Sequence, residues 1–549
     1  MTIAMRLAVV ILAGLIAMPA RGALLVTANV MAPLDLDAGP PGAWDAFRAQ
    51  LKIAKSMGVD AVSVDVWWGK VEGSGENVFD WSYYDRIEAA IEAAGLHWVP
   101  IMSFHQCGGN VGDSCQIPIP GWIWDRFKDQ GVYREALQYR SERDNSSSEV
   151  VALWEDRLVI PQYQEFMNAF QSHFSAKADI TDEINLSMGP AGELRYPSYD
   201  IHDKGACGYP TRGCFQAYSA PARNEFRAYA LNKYHDLAGV NAAWKDSLGG
   251  TPLTDPKQIG PPDDRDPANG RAEAFISRDD DRRTQYGRDF IDWYNQSLVD
   301  HGRRLLDAAL ATFSGGAFKN TPIGLKMAGV HWQMADGADH PRVAEIAAGL
   351  IQTSIGSLKD ERHAFGYQNI LNMVASYRGR AKVELHFTCL EKDDMEWDGS
   401  SHAFSMAKTL VFWVAQGAAD RGLVIKGENA LEGGVMSDHG WDNIWNVFHW
   451  GAYTGLTVLR INAVTTDSDI GQRLYRDFIA VCKVNCSLPS HDKLKWHVFQ
   501  HGRCLHDILE KHARLPSSRL YPAKLSTFVP STCARPEHPS RACGLSVCQ

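Results

Sequence analysis

The sequence has no C-x-x-C pair, no internal repeat and no long apolar run beyond its first two dozen residues. Without C-x-x-C, the eleven cysteines read poorly as a zinc site. A bilayer span needs about 20 apolar residues, and nothing after the N-terminus supplies them. Positive charge is also short: 55 Lys and Arg stand against 65 Asp and Glu, a net of −10. That balance argues against a nucleic-acid or anionic-membrane partner. Nor does G-x-G-x-x-G follow the first strand-like run, which argues against an open doubly wound sheet, the fold alternative.

What is present starts with MTIAMR, the apolar LAVVILAGLIAMPA and then RGA. A basic start, an apolar stretch and small residues Ala20 and Gly22 make a secretory signal over 1–22, with cleavage before Ala23. An uncleaved anchor is the alternative, but the run is short for a span. The expectation is a secreted protein, extracellular or periplasmic, with no membrane partner after cleavage. Disulfides suit that compartment. Cys107 and Cys115, and Cys207 and Cys214, are spaced for local bridges, though sequence leaves connectivity open. Cys389, in a strand-like run, is expected to be unpaired.

Eight β-rich runs alternate with amphipathic stretches: 24–32, 61–68, 97–104, 184–188, 323–330, 383–390, 422–427 and 456–462. Helical patterns between them include 44–58, with Trp44, Phe47, Leu51 and Ala54 on one face, 83–95 and 404–422. Eight strand–helix units predict a (β/α)8 TIM barrel over 23–480, with long strand–helix loops forming a mound over its C-terminal face. The Pro- and Asp-rich string 255–271 reads as an exposed loop. Residues 481–549 hold six cysteines and lose periodicity, which predicts a small Cys- and Pro-rich extension.

Polar residues gather at the C-terminal ends of these runs: Asp65, His105, Glu193, Lys326, Thr388, Glu391, Glu428 and Arg460. In a barrel that face carries the chemistry. Glu193 in GELRYPSY and Glu428 in KGENAL follow the fourth and seventh runs. Two carboxyls are the minimum equipment for cleaving a glycosidic bond, about 6.5–9.5 Å apart for inversion and about 5–5.5 Å for retention. The bland alternative is a surface or ion-paired glutamate, and Arg195 offers Glu193 a salt bridge. Burial is expected to keep Glu193 protonated as the acid. In SFHQCGGNVGDSC, His105 and Asp113 flank a glycine-rich stretch that reads as a lid. Asp65 beside Trp67 and Trp68, and Lys326 with His331 and Trp332, suit sugar binding, although core tryptophans and structural histidines are common.

DVWWGKVE, FHQCGGNVGD, IPIPGW, GELRYPSY, KMAGVHW, FTCLE, KGENAL and LRIN together resemble the β-amylases, the inverting exo-acting family 14 of glycoside hydrolases. They occur in family order over roughly 26–465, most like the bacterial branch, including its Cys107–Cys115 pair. The resemblance implies release of β-maltose from non-reducing ends of α-1,4-glucans such as starch, with no cofactor needed for chemistry. It implies Glu193 as general acid and Glu428 as base. It implies substrate contacts from Asp65, His105, Asp113, Lys326, Thr388, Asn429, Ala430 and Arg460; His331 is added from its own segment. His386 departs from the plant pattern, which has Asn there. Some bacterial members bind a structural calcium, and Glu72, Glu76 and Asn77, with Glu165, resemble that site. The C-terminal portion does not resemble a starch-binding module. A monomer is expected. The rivals are a retaining barrel glycosidase and a non-catalytic glucan-binding protein on the same scaffold.

Overall fold

Each of the eight predicted runs overlaps a strand in the computed structural model. They are β1 (Thr27–Met31), β2 (Ala61–Trp67), β3 (His97–Ser103), β4 (Ile184–Leu186), β5 (Ile323–Met327), β6 (Val383–Phe387), β7 (Val424–Glu428) and β8 (Gly455–Val458). The structure describes residues 26–108, 115–199, 211–262, 275–276, 283–332, 342–352, 367–394, 397–398, 401–402, 405–449 and 453–486. The predicted signal segment, residues 109–114 of the lid string with Asp113, Cys207 and nearly all of 481–549 lie outside the described residues. All neighbouring strands pair in parallel, and β1 closes the barrel by pairing with both β2 and β8. This is the (β/α)8 barrel that the sequence predicts.

Strand alternation sorts the side chains into two environments. One set, including Val30, Val62, Val64, Leu186, Leu325, Leu385, Ile425 and Val458, faces the surrounding helices and is almost completely buried. The helices answer with matching stripes. In α1 (Ala43–Met57), Phe47, Leu51, Ala54 and Met57 are buried. Trp44 is only half-buried at the helix edge, where its indole donates to Asp37. Further covering comes from α2 (Ser82–Ala93), α3 (Asp156–His173), α4 (Gln285–Phe313), α5 (Gln368–Ala375), α6 (Ala407–Asp420), α7 (Asp438–His449) and α8 (Asp469–Cys486). The last helix continues past residue 480, where the sequence suggested a boundary.

The other set faces the barrel interior, and it is polar. Where a barrel of this class ordinarily stacks branched aliphatics, this one presents Asn29, Ser63, Asp65, Ser103, Asn185, Lys326, Glu384, His386, Lys426, Glu428 and Thr457. Space for these groups comes from glycines on the same faces. A Cβ on Gly324 of β5 would sit 1.9 Å from Asn185 Oδ1 and 2.0 Å from Glu183 Oε1.

Some expectations change. The eighth run ends as a strand at Val458, because Arg460 caps a short helix over Ile461–Thr465. The 255–271 string is not wholly exposed. Its start is a capped turn over Pro256–Gln258, and residues 259–262 are buried where Tyr286 donates to the Gly260 carbonyl. The Cys107–Cys115 disulfide is present, and Cys389 is buried outside any disulfide. Among the described residues no helix is long and apolar enough to cross a membrane.

Because the Gly324 site has no room for a methyl group, Gly324→Ala should destabilise the fold by about 1–3 kcal/mol. Urea unfolding of the variant beside the parent checks this, and equal midpoints would contradict the packing described.

Candidate active site

Glu428 is the last residue of β7 and nearly fully buried. Its carboxylate receives Lys326 Nζ at 3.1 Å on Oε1 and 2.9 Å on Oε2. Lys326 comes from β5, two strands away around the barrel. Burial alone would lower its amine pKa, but Glu428 first, then Asp65 and Glu193, outweigh that and hold it above the usual range. One cation therefore feels three of the predicted site carboxylates at once.

Glu193 reaches the same place by a less direct route. The strand β4 ends at Leu186, and the chain turns through Pro190–Gly192, with Ala191 at φ 54° and Gly192 at φ 78°. It then rejoins the sheet, where Glu193 bridges Lys326 and the Leu194 N–H donates to the Lys326 carbonyl at 2.9 Å. Gly189 permits the return, since a Cβ there would meet the carbonyl oxygens of Glu193 and Arg195 at 2.4 and 2.6 Å. Glu193 thus sits beside β5 rather than on the end of its own strand.

Its two oxygens have different partners. Arg195 Nε donates to Oε2 at 2.8 Å, and Thr388 Oγ1 lies 3.3 Å from Oε1. Thr388 already accepts the Gly329 N–H at 2.8 Å, which leaves its hydroxyl proton to point toward Glu193. The salt bridge that formed the bland reading of Glu193 is therefore real, and it lies inside the site. Arg195 is 1% exposed, with its guanidinium 4.8 Å from the Tyr199 ring and 5.8 Å from that of Trp332. Burial works against its charge, but Tyr199 and the carboxylates of Glu193 and Glu149 hold the guanidinium above its usual range.

The remaining predicted residues divide between open and committed groups. Asp65 accepts from Ser103 Oγ at 2.9 Å and stays half-buried at the rim. His105 bonds Ser187 Oγ at 2.7 Å through Nδ1 and packs edge-on against Trp67. Half-buried His331 meets the Trp332 ring at 5.7 Å, and its surroundings push its pKa down to about 3, chiefly by desolvation. Asn429 is a lock between strands: its amide donates to the Leu459 carbonyl at 2.6 Å, and its Oδ1 accepts the Leu459 N–H at 2.8 Å. Arg460 donates to the Ala32 carbonyl at 3.1 Å. The Ala430 N–H is occupied, with Glu391 accepting it at 2.9 Å and the Leu431 N–H at 2.9 Å. In the sequence Glu391 stands out only as a strand-end polar residue, and Arg195 and Ser187 carry no site signal. GELRYPSY and FTCLE contain two of the three, but their partners are visible only in three dimensions.

Of the expected calcium set, Glu72, Glu76 and Asn77 share one loop, and Glu72 feels the carboxylates of Glu165 and Glu76. Buried Glu72 accepts from Trp68 Nε1 at 2.6 Å and the Asn77 N–H at 2.7 Å, while Glu76 is paired with Arg126 at 2.6 Å. Glu165 is exposed on α3. Among the described residues no group of three or more His, Cys, Asp and Glu side chains could hold a metal ion. His386 is placed away from the face: it is buried against Glu183, with Nε2 at 2.6 Å from Oε1.

Burial pushes the His105 imidazole down to about 4, with Lys326 and Arg195 adding to the effect and Asp65 opposing it. The unfolded imidazole protonates near the ordinary histidine value of about 6.5. Between these values the unfolded chain holds a proton that the folded one lacks, so stability falls as pH falls through this window. The contribution is on the order of 3 kcal/mol. Thermal unfolding from pH 7 to pH 4 should therefore show a shallower loss for His105→Gln than for the parent; parallel slopes would count against the assignment.

The sequence profile described as glycosyl hydrolase family 14 matches residues 29–483. The thermophilic β-amylase of Thermoanaerobacterium thermosulfurigenes is 38% identical over 430 residues, covering 78% of this chain and 70% of that protein. The β-amylase of Bacillus cereus is 35% identical over 441 residues, covering 80% and 72%. Among solved structures, the catalytic domain of β-amylase from Paenibacillus polymyxa matches with a TM-score of 0.70 at 35% identity, over 84% of this chain and all of that one. A β-galactosidase from Marinomonas ef1, 10% identical with a TM-score of 0.51 over 85% of this chain and 61% of that one, shares the barrel fold alone. With most of its length and its whole barrel matched, the chain belongs to glycosyl hydrolase family 14 and is a glycosidase.

Proposed function

We propose that the protein is an exo-acting, inverting β-amylase that releases β-maltose from the non-reducing ends of α-1,4-glucans such as starch and maltodextrins. The observation that carries this reading is the convergence of Glu193 and Glu428 on Lys326, one through the sheet and one through an ion pair. Relatives named β-amylase support the substrate class.

In this reading Glu193 gives a proton to the glycosidic oxygen while Glu428 removes one from a water on the opposite face of the sugar ring. Because Arg195 occupies Glu193 Oε2, the donated proton belongs on Oε1, beside Thr388. The ion pair with Lys326 holds the Glu428 carboxylate in place at the barrel mouth, where the base is needed. Asp65, His105, Lys326, His331, Thr388, Asn429, Ala430 and Arg460 are assigned to substrate contacts or to their support, with Asp113 on the lid. The reaction as written uses no cofactor. The N-terminal signal pattern supports export to an extracellular or periplasmic site, and the protein is read as a monomer.

Maltose should be the product from soluble starch, and polarimetry of fresh product should show the β-anomer. The α-anomer would establish retention and overturn the reading. Glu193→Gln and Glu428→Gln should each lose about 10²–10⁴-fold in rate with unfolding midpoints near the parent's. Near-parent activity in either variant would remove its assigned role, and a parent chain that binds maltodextrin without cleaving it would be a glucan-binding protein instead.

A further inference from the structure

One layer below Glu428 and Thr388 the barrel holds a group of charges that the reaction leaves unused. Glu183, fully buried just ahead of β4, accepts Lys426 Nζ at 2.6 Å on Oε2 and His386 Nε2 at 2.6 Å on Oε1. Lys426 also reaches Glu384 at 2.6 Å. Burial opposes both main charges and is outweighed. His386 and Lys426 hold the Glu183 carboxyl below its usual range, and Glu183 with Glu384 holds the Lys426 amine above its own.

The placement follows the strand repeat. Lys426 precedes Glu428 by two residues on β7, and His386 precedes Thr388 by two at the end of β6, so each shares an inward face with a site residue. Lys426 and His386 are also register partners. Two glycines clear the space: the Gly324 Cβ would fall 2.0 Å from Glu183 Oε1, and the Gly455 Cβ 3.0 Å from Lys426 Cγ. Aliphatic packing would fill a barrel without the desolvation cost that buried ions carry. Charge-assisted bonds differ in being directional and short, so they fix a strand's position along its axis as well as its depth.

We propose that Glu183 is a positioning residue for the hydrolysis, setting through Lys426 and His386 where Glu428 and Thr388 stand at the barrel mouth. The inference rests on the roles proposed for those two residues above. It calls for a change mainly in kcat, because Glu428 acts on the water, with a smaller effect on binding through Thr388, one of several assigned substrate contacts.

The test compares maltose release by the full chain with that of Glu183→Gln and of Asp289→Asn. Asp289 is equally buried but belongs to the helical layer, where it accepts from Lys233, Tyr234 and Trp244. Glu183→Gln should lose about 100-fold in kcat with KM within about threefold of the parent. Asp289→Asn should lose comparable thermal stability yet keep kcat within about threefold. A Glu183→Gln enzyme with parental kcat overturns the proposal, as does an Asp289→Asn enzyme whose kcat falls in step with its Tm. If Glu183→Gln does not fold, the His386 pair decides. His386→Gln, which retains an N–H for Glu183, should keep at least about a tenth of kcat, whereas His386→Leu should lose about 100-fold; equal rates overturn it. An inactive parent chain is a different failure, since it removes the functional reading itself.

Discussion

A single ammonium group, Lys326 Nζ, stands where several carboxylates approach one another at the mouth of the barrel. It grips both oxygens of Glu428 and feels the charges of Asp65 and Glu193. Two like charges about 8 Å apart, the spacing that inversion calls for, repel by about 2 kcal/mol at an effective dielectric of about 20. Without a cation at this point, the acidic side chains brought together by the strands would push the mouth apart. The backbone of Lys326 is equally engaged, since its carbonyl anchors the returning segment that carries Glu193. Removing the side chain would therefore disturb charge balance in one half of the site, while the strand beneath it organises the other.

This economy explains why the fold was easier to read than the site. Strands such as AVSVDVW and HWVPIMS announce themselves as short apolar runs, and all eight overlap the predicted segments, with β7 and β8 each reaching one residue beyond. Their ends are less legible. LTVLRIN looks continuous, yet Asn429 captures the Leu459 backbone from the neighbouring strand and Arg460 starts a helix. Glu193 was found from the string around it, but its return to β5 depends on Gly189 lying against two carbonyls, a packing fact with no local signature. EGSGEN shows its oxygens in the sequence but not their partners, which in the fold are the Trp68 indole, the Asn77 amide and Arg126.

The interior charges fall between these cases. Alternation in VELHF and LVIKGE places charged residues at every second position within otherwise apolar strands, a pattern unlike a surface strand covered by helices. What the alternation does not reveal is which of them meet. Glu183 is some two hundred residues from His386 in the chain, and only closure of the barrel brings the carboxylate to the imidazole. The glycines opposite them acquire meaning at the same moment, as gaps matched to particular side chains.

Glu391 has a bearing on how ligands can be recognised next to Glu428. By accepting both the Ala430 and Leu431 N–H groups, it removes the two donors that the backbone could have offered there. What remains available from Ala430 is its carbonyl, an acceptor only. A hydroxyl approaching this stretch must therefore arrive as a donor, so a ligand whose hydroxyl had been converted to an ether would meet two lone pairs and no proton to share.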